Sequence, residues 1–102
     1  MHVNIWDQEN YSDERPVSRL LHDSAELRLV AFFLKPGQVI EPHVAPSRVM
    51  MQVVKGRGSF TVGDRRIEVG PGELAVCEPN EPHGMEADEH LVIMAAIAPR
   101  PF

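Results

Sequence analysis

Few side chains in this sequence can do chemistry, so the first matter is which of them stand together. Five histidines, one cysteine and fifteen acids are the candidates. Glu41 and His43 are two residues apart, so on an extended stretch they share a face. Cys77 lies in the strand before His83, and a thiol beside an imidazole is the arrangement of a nucleophile with its base. No third group is in sight to orient that imidazole, and a buried free cysteine is usually inert packing. Glu73, Glu78 and Glu81 crowd the stretch before His83, in turn or edge positions that suit a solvated rim. His2, His22 and His90 stand in a polar arm or turn-like contexts and are expected on the surface.

The bulk properties bound what these groups can serve. A chain of 102 residues makes one domain. Apolar residues at 43% and charged residues at 25% suit a globular protein rather than a disordered one. A net charge of −5 argues against nucleic acid, because phosphate binding needs a concentrated basic surface. The longest run free of charge and proline, Leu91 to Ala98, is far short of a membrane span. Met1 to Asp7 lacks the basic start and apolar centre of a signal peptide, so a cytoplasmic protein is expected. A single cysteine excludes an internal disulfide and a cysteine-rich zinc site.

The elements that must position the candidates read as strands. Residues 1–16 are polar and proline-punctuated, an arm with one short edge strand expected at Val3 to Trp6, and residues 17–102 form the domain. Strands are expected at Val17–His22, Glu26–Leu34, Val39–Ala45, Val49–Lys55, Ser59–Val62, Ile67–Val69, Glu73–Cys77, His83–Ala87 and Leu91–Ala98. Glycine and proline turns separate many of them. No useful window repeats its apolar residues at three and four, so no substantial helix is expected. Many short strands joined by turns indicate an all-β sandwich or barrel. Glu26–Leu34 and Leu91–Ala98 are apolar on both faces, which demands cover on both sides, from a second sheet or another subunit. A homodimer is the expectation.

Two stretches carry a further signal. Gly37 is followed by five residues, His43, Ala45, Val49 and then Gly56. Gly72 is followed by five residues, Glu78, Asn80, His83 and then Ala87. The spacing resembles the two sequence motifs of the cupin family over residues 37–87, about half the chain. The resemblance implies a cupin-type antiparallel β-barrel, a double-stranded β-helix or jelly roll. In related cupins two histidines and a glutamate of the first motif and one histidine of the second hold a divalent metal.

Carried over by position, His43 and His83 are the candidate ligands here, for one ion of zinc, iron, manganese or nickel. Ala45 and Val49 stand where the other two ligands belong, and neither can coordinate. Glu41, on the expected face of His43, is the weaker candidate for a third donor, which would give two histidines and a carboxylate; a solvated glutamate at the strand's start is the favoured reading. In the motif's register Val49, Met51 and Val53 face inward, forming with His43 and His83 a mostly apolar pocket for a small molecule. Met50, Met51, Met85 and Met94 could adapt their shapes to such a guest. A slip by one residue would turn Arg48 and Gln52 inward as a fork for a carboxylate, but the spacing to Gly56 supports Val49. The functional expectation is a small-molecule-binding cupin. The alternatives are a metal-dependent oxygenase, isomerase or lyase acting on an organic acid or sugar, and a structural or regulatory sensor module.

Overall fold

The computed structural model describes residues 1–102. Nine strands follow one short 3-10 helix: β1 (Val17–Asp23), β2 (Arg28–Leu34), β3 (Val39–His43), β4 (Arg48–Lys55), β5 (Gly58–Val62), β6 (Arg65–Val69), β7 (Leu74–Cys77), β8 (His83–Ala87) and β9 (Leu91–Ala98). They form two antiparallel sheets, one ordered β1-β2-β9-β4-β7 and the other β3-β8-β5-β6. This is the double-stranded β-helix expected from the sequence, with two facing sheets rather than one closed ring of strands. No helix is long and apolar enough to cross a membrane.

Period-two alternation decides what each strand buries. From β4, Val49, Met51 and Val53 face the other sheet; from β9, Leu91 and Ile93 do the same; from β5 and β8, Phe60 and Met85 answer them. Each large apolar side chain buried here contributes on the order of 2 kcal/mol relative to exposure. The slipped register is thereby excluded: Arg48 is exposed, and its Nε and Nη2 donate to Glu78 at 2.8 and 3.1 Å.

The turn after β4 needs a residue that no side chain could replace. Gly56 has φ +87°, and a Cβ there would sit 2.0 Å from the carbonyl oxygen of His90. Asn80, in the turn before β8, also takes a positive φ of 66°. Asparagine is among the few non-glycine residues that adopt this region readily.

The arm differs from expectation. Val3 to Trp6 is not a strand; Ile5–Gln8 forms the 3-10 turn, with the Asn4 side chain accepting from the Trp6 backbone N–H at 3.0 Å. Ile5 and Tyr11 pack on Ala31, Phe33 and Val92, the outward residues of β2 and β9. Tyr11 meets Phe33 edge to face, with ring centres 6.1 Å apart. Glu9 pins this cover by accepting from Lys55 Nζ at 2.7 Å and from the Tyr11 hydroxyl. Part of the two-sided apolarity of β2 and β9 is therefore answered within the chain. Beyond the arm's reach, Leu74 and Val76 on β7 remain 56% and 47% exposed.

Candidate functional site

The site is built where β3 pairs with β8. Ile40 lies opposite Met85 and His43 opposite His83, with a break in register between them. Glu41 and Pro42 therefore share the place of one residue, Gly84, which makes a β-bulge. The bulge has a local cause: proline has no N–H for the ladder and is tolerated at edges and bulges, and β3 is the edge of its sheet. Gly84 makes the close approach possible, because a Cβ there would lie 2.8 Å from the Ile40 carbonyl oxygen and 2.9 Å from the Pro42 nitrogen.

One extra residue changes which side chains meet. Ile40 and His43 face inward, while Glu41 lines a groove on the outer side of the sheet with Ser59, Thr61, Arg66 and Glu86. The expectation that Glu41 shares the face of His43 is thus corrected, since period-two alternation fails across a bulge.

His43 and His83 come together as directly opposed residues, their ring centres 4.3 Å apart and their planes at 62°. Each imidazole is held in the same way. His43 Nδ1 donates to the Glu41 carbonyl oxygen at 3.0 Å, and His83 Nδ1 donates to the Glu81 carbonyl oxygen at 3.1 Å. A carbonyl can only accept, so each Nδ1 carries a proton and each ring, in its neutral form, presents its lone pair at Nε2. His43 is exposed, whereas His83 is 6% exposed.

Behind the pair lies a cavity of about 130 Å³, lined by His43, His83, Val49, Met51, Met85 and other apolar side chains. Outside it a vestibule of about 250 Å³ shares His43, His83, Val49 and Ile97 as its floor and has Pro101 and Phe102 at its side. The structure thus brings His43, Val49, Met51 and His83 to one cavity. Met50 and Met94 alternate onto the opposite face of their sheet and are not part of it. Phe32, Ile40, Ala95 and Ile97 also line the cavity; the alternation of β2 and β9 is the available signal for Phe32, Ala95 and Ile97, whereas Ile40 joins His43 on the inner face only through the bulge.

The remaining candidates have structural work. Glu73 accepts from the Gly70 N–H at 2.7 Å and Glu81 from the Glu78 N–H at 3.0 Å, each closing a turn. Cys77 is buried in the core, and burial, helped by the charge of Glu81, pushes its thiol pKa up. It is packing rather than a nucleophile.

The donor set does not fit a divalent ion of the expected kind. Such sites take at least three protein donors of nitrogen, oxygen or thiolate type. Here two imidazoles face a wall of valine, alanine and isoleucine, and no three His, Cys, Asp or Glu side chains gather anywhere in the chain.

Burial lowers the pKa of His83 below the ordinary 6.5; the hydrogen bond to Glu81 opposes this and the neighbouring His43 adds to it. The folded state therefore binds fewer protons at this site than the unfolded chain. Its contribution to stability is complete above pH 6.5 and is lost as pH falls through the lower, folded value. The carboxylates with lowered pKa, Glu9 and Glu78 from 4.5 and Asp13 from 3.8, lose their contributions only at more acid pH. Denaturant midpoints should decline as pH falls below 6.5, and His83→Gln should flatten that decline. An equal slope in the variant would show that His83 is not the group titrating.

The family model described as the Cupin domain matches residues 30–97. No match emerges among the curated proteins. Among solved structures, an RmlC-like cupin protein from Desulfovibrio desulfuricans is 29% identical, with a TM-score of 0.89 over 97% of this chain and 96% of that one. TT1209 from Thermus thermophilus superposes at a TM-score of 0.93, with 22% identity and 98% of each chain covered. The polyketide cyclase RemF from Streptomyces resistomycificus gives a TM-score of 0.74 at 23% identity, over 85% of this chain and 67% of that one. With the family model spanning well over half its length and two facing sheets of the same form, this chain belongs to the cupin family.

Proposed function

We propose that this cupin binds a small, largely apolar organic molecule between its sheets and fixes it through one hydrogen-bond donor on the guest. The observation that carries the reading is the pair of imidazoles with Nδ1 already engaged, which leaves two Nε2 acceptors at an otherwise apolar cavity. Two neutral acceptors favour a hydroxyl or phenol over a carboxylate, whose oxygens have no proton to offer. The cavity of about 130 Å³ is near the ~150 Å³ that accommodates benzene in an engineered apolar cavity. A ring-sized head fits inside, and the vestibule leaves room for a larger body. A metal-dependent enzyme is the weaker reading, because the protein supplies two conventional donors where at least three are needed. The expected compartment is the cytoplasm.

Thermal unfolding with phenol, cyclohexanol and benzoate tests this directly, since a guest that binds only the native state raises the midpoint. The neutral donors should raise it by several degrees near saturation, benzoate much less, and His43→Leu and His83→Leu should each shrink the shift. No shift with any neutral donor, or equal shifts in both variants, would contradict the reading.

The protein is also proposed to be a homodimer. Leu74 and Val76 lie exposed on β7, the edge of the five-stranded sheet, next to the outward Met50 of β4. An apolar face at a sheet edge invites a second copy of the same face. Sedimentation velocity should find a species of twice 11.4 kDa, dissociated by Leu74→Glu with Val76→Glu. A wild-type monomer at tens of micromolar would contradict it.

A further inference from the structure

The outer face of the four-stranded sheet holds a groove of about 260 Å³ in which the histidines take no part. Its floor follows from parity. Phe60 points into the core, so Ser59 and Thr61 on either side of it point outward. Gly84 stands between Thr61 on β5 and the Glu41–Pro42 bulge on β3, and it places no side chain there. Two interstrand spacings of about 4.8 Å separate β5 from β3, which leaves the width of a small molecule over Gly84. Ser59 is 3% exposed, and its hydroxyl enters no hydrogen bond of the chain. No fully enclosed polar side-chain atom lacks a partner, so that hydroxyl opens on the groove. Charge at the groove is unbalanced as well. Glu41 and Glu86 bring two carboxylates and Arg66 the one cation. Arg66 Nη2 donates to Glu86 Oε1 at 3.2 Å, which leaves Glu41 without an ion-pair partner.

We propose that this groove binds a small primary organic ammonium ion. An ammonium donates three hydrogen bonds and accepts none, and acceptors are what Glu41, Ser59 and Thr61 leave unused. Its single charge matches the one carboxylate that Arg66 does not neutralise. A carbon chain beyond the nitrogen would lie along Val39 and Pro42, which are exposed at the groove. A hard divalent ion is a poorer match, because calcium takes six to eight oxygen ligands and no three acids gather here. The net charge of −5 draws cations toward the surface. The site lies on the outer face of the sheet, so the inference does not rest on the organic-guest reading of the cavity between the sheets.

The test is titration of ¹⁵N-labelled protein with butylammonium chloride, followed by amide chemical shifts. Saturable shifts should gather at Glu41, Ser59, Thr61 and Gly84. Tetramethylammonium, which has no N–H to donate, should bind several times more weakly, and butyrate should not bind. Glu41→Gln, at an exposed position, should weaken butylammonium by about fivefold, the upper range for a partly exposed ion pair. Ser59→Ala should also weaken it, and His83→Leu should leave it unchanged. Arg66→Gln should tighten binding, because it frees the Glu86 carboxylate. Absence of saturable shifts at the groove would overturn the proposal and leave water as the partner of Ser59. Equal affinity in Glu41→Gln, or weaker binding in Arg66→Gln, would overturn it too, the latter by showing a site built to hold anions.

Discussion

One extra residue in β3 decides what this cavity contains. Because Glu41 and Pro42 together oppose Gly84, the inward sequence along β3 runs from Ile40 to His43, with the acid between them turned outward. Without the bulge, a carboxylate would stand beside the imidazoles and the site would hold a hard, anionic corner. With it, the interior keeps two neutral rings and apolar walls. The close approach at Gly84 and the missing N–H of Pro42 are the local conditions that allow the bulge. The rest of the barrel holds β3 and β8 in the register that sets His43 opposite His83.

Backbone carbonyls then set the chemistry of the pair. Each histidine returns its Nδ1 proton to the carbonyl two residues before it, so orientation and tautomer come from the chain itself rather than from a neighbouring acid. Burial on the β8 side keeps His83 neutral, and exposure on the β3 side leaves His43 in contact with water. The result is a mouth with two Nδ1–H imidazoles, in front of a cavity whose deeper walls are apolar. Such a lining selects against anions and hard cations by the same argument, since neither finds a compensating partner.

Much of the architecture is legible in the sequence. Alternation in β4 and β9, with glycine turns at Gly56 and Gly72, is enough to place the strands within a residue or two and to set Val49 and Met51 inward. The placement of Glu41 is misread when period two is carried straight through Pro42. A proline inside a strand pattern is itself a mark of an edge or a bulge, so the signal is present. The arm is opaque for a different reason. Ile5 and Tyr11 are isolated apolar residues in a polar segment, and only tertiary contact reveals that they cover Phe33 and Val92. Met50 and Met94 differ from Met51 and Met85 only in parity along their strands, a distinction composition cannot make.

The central claim is that both imidazoles are neutral Nδ1–H tautomers offering Nε2 to one apolar cavity. Long-range proton–nitrogen correlation spectra of ¹⁵N-labelled protein at about pH 8 report the tautomer of each ring directly. The account predicts that His43 and His83 both show protonated Nδ1 and unprotonated Nε2, with assignments secured by His43→Leu and His83→Leu. A protonated Nε2 on either ring would contradict it, because that ring would then turn a donor, not an acceptor, toward the cavity.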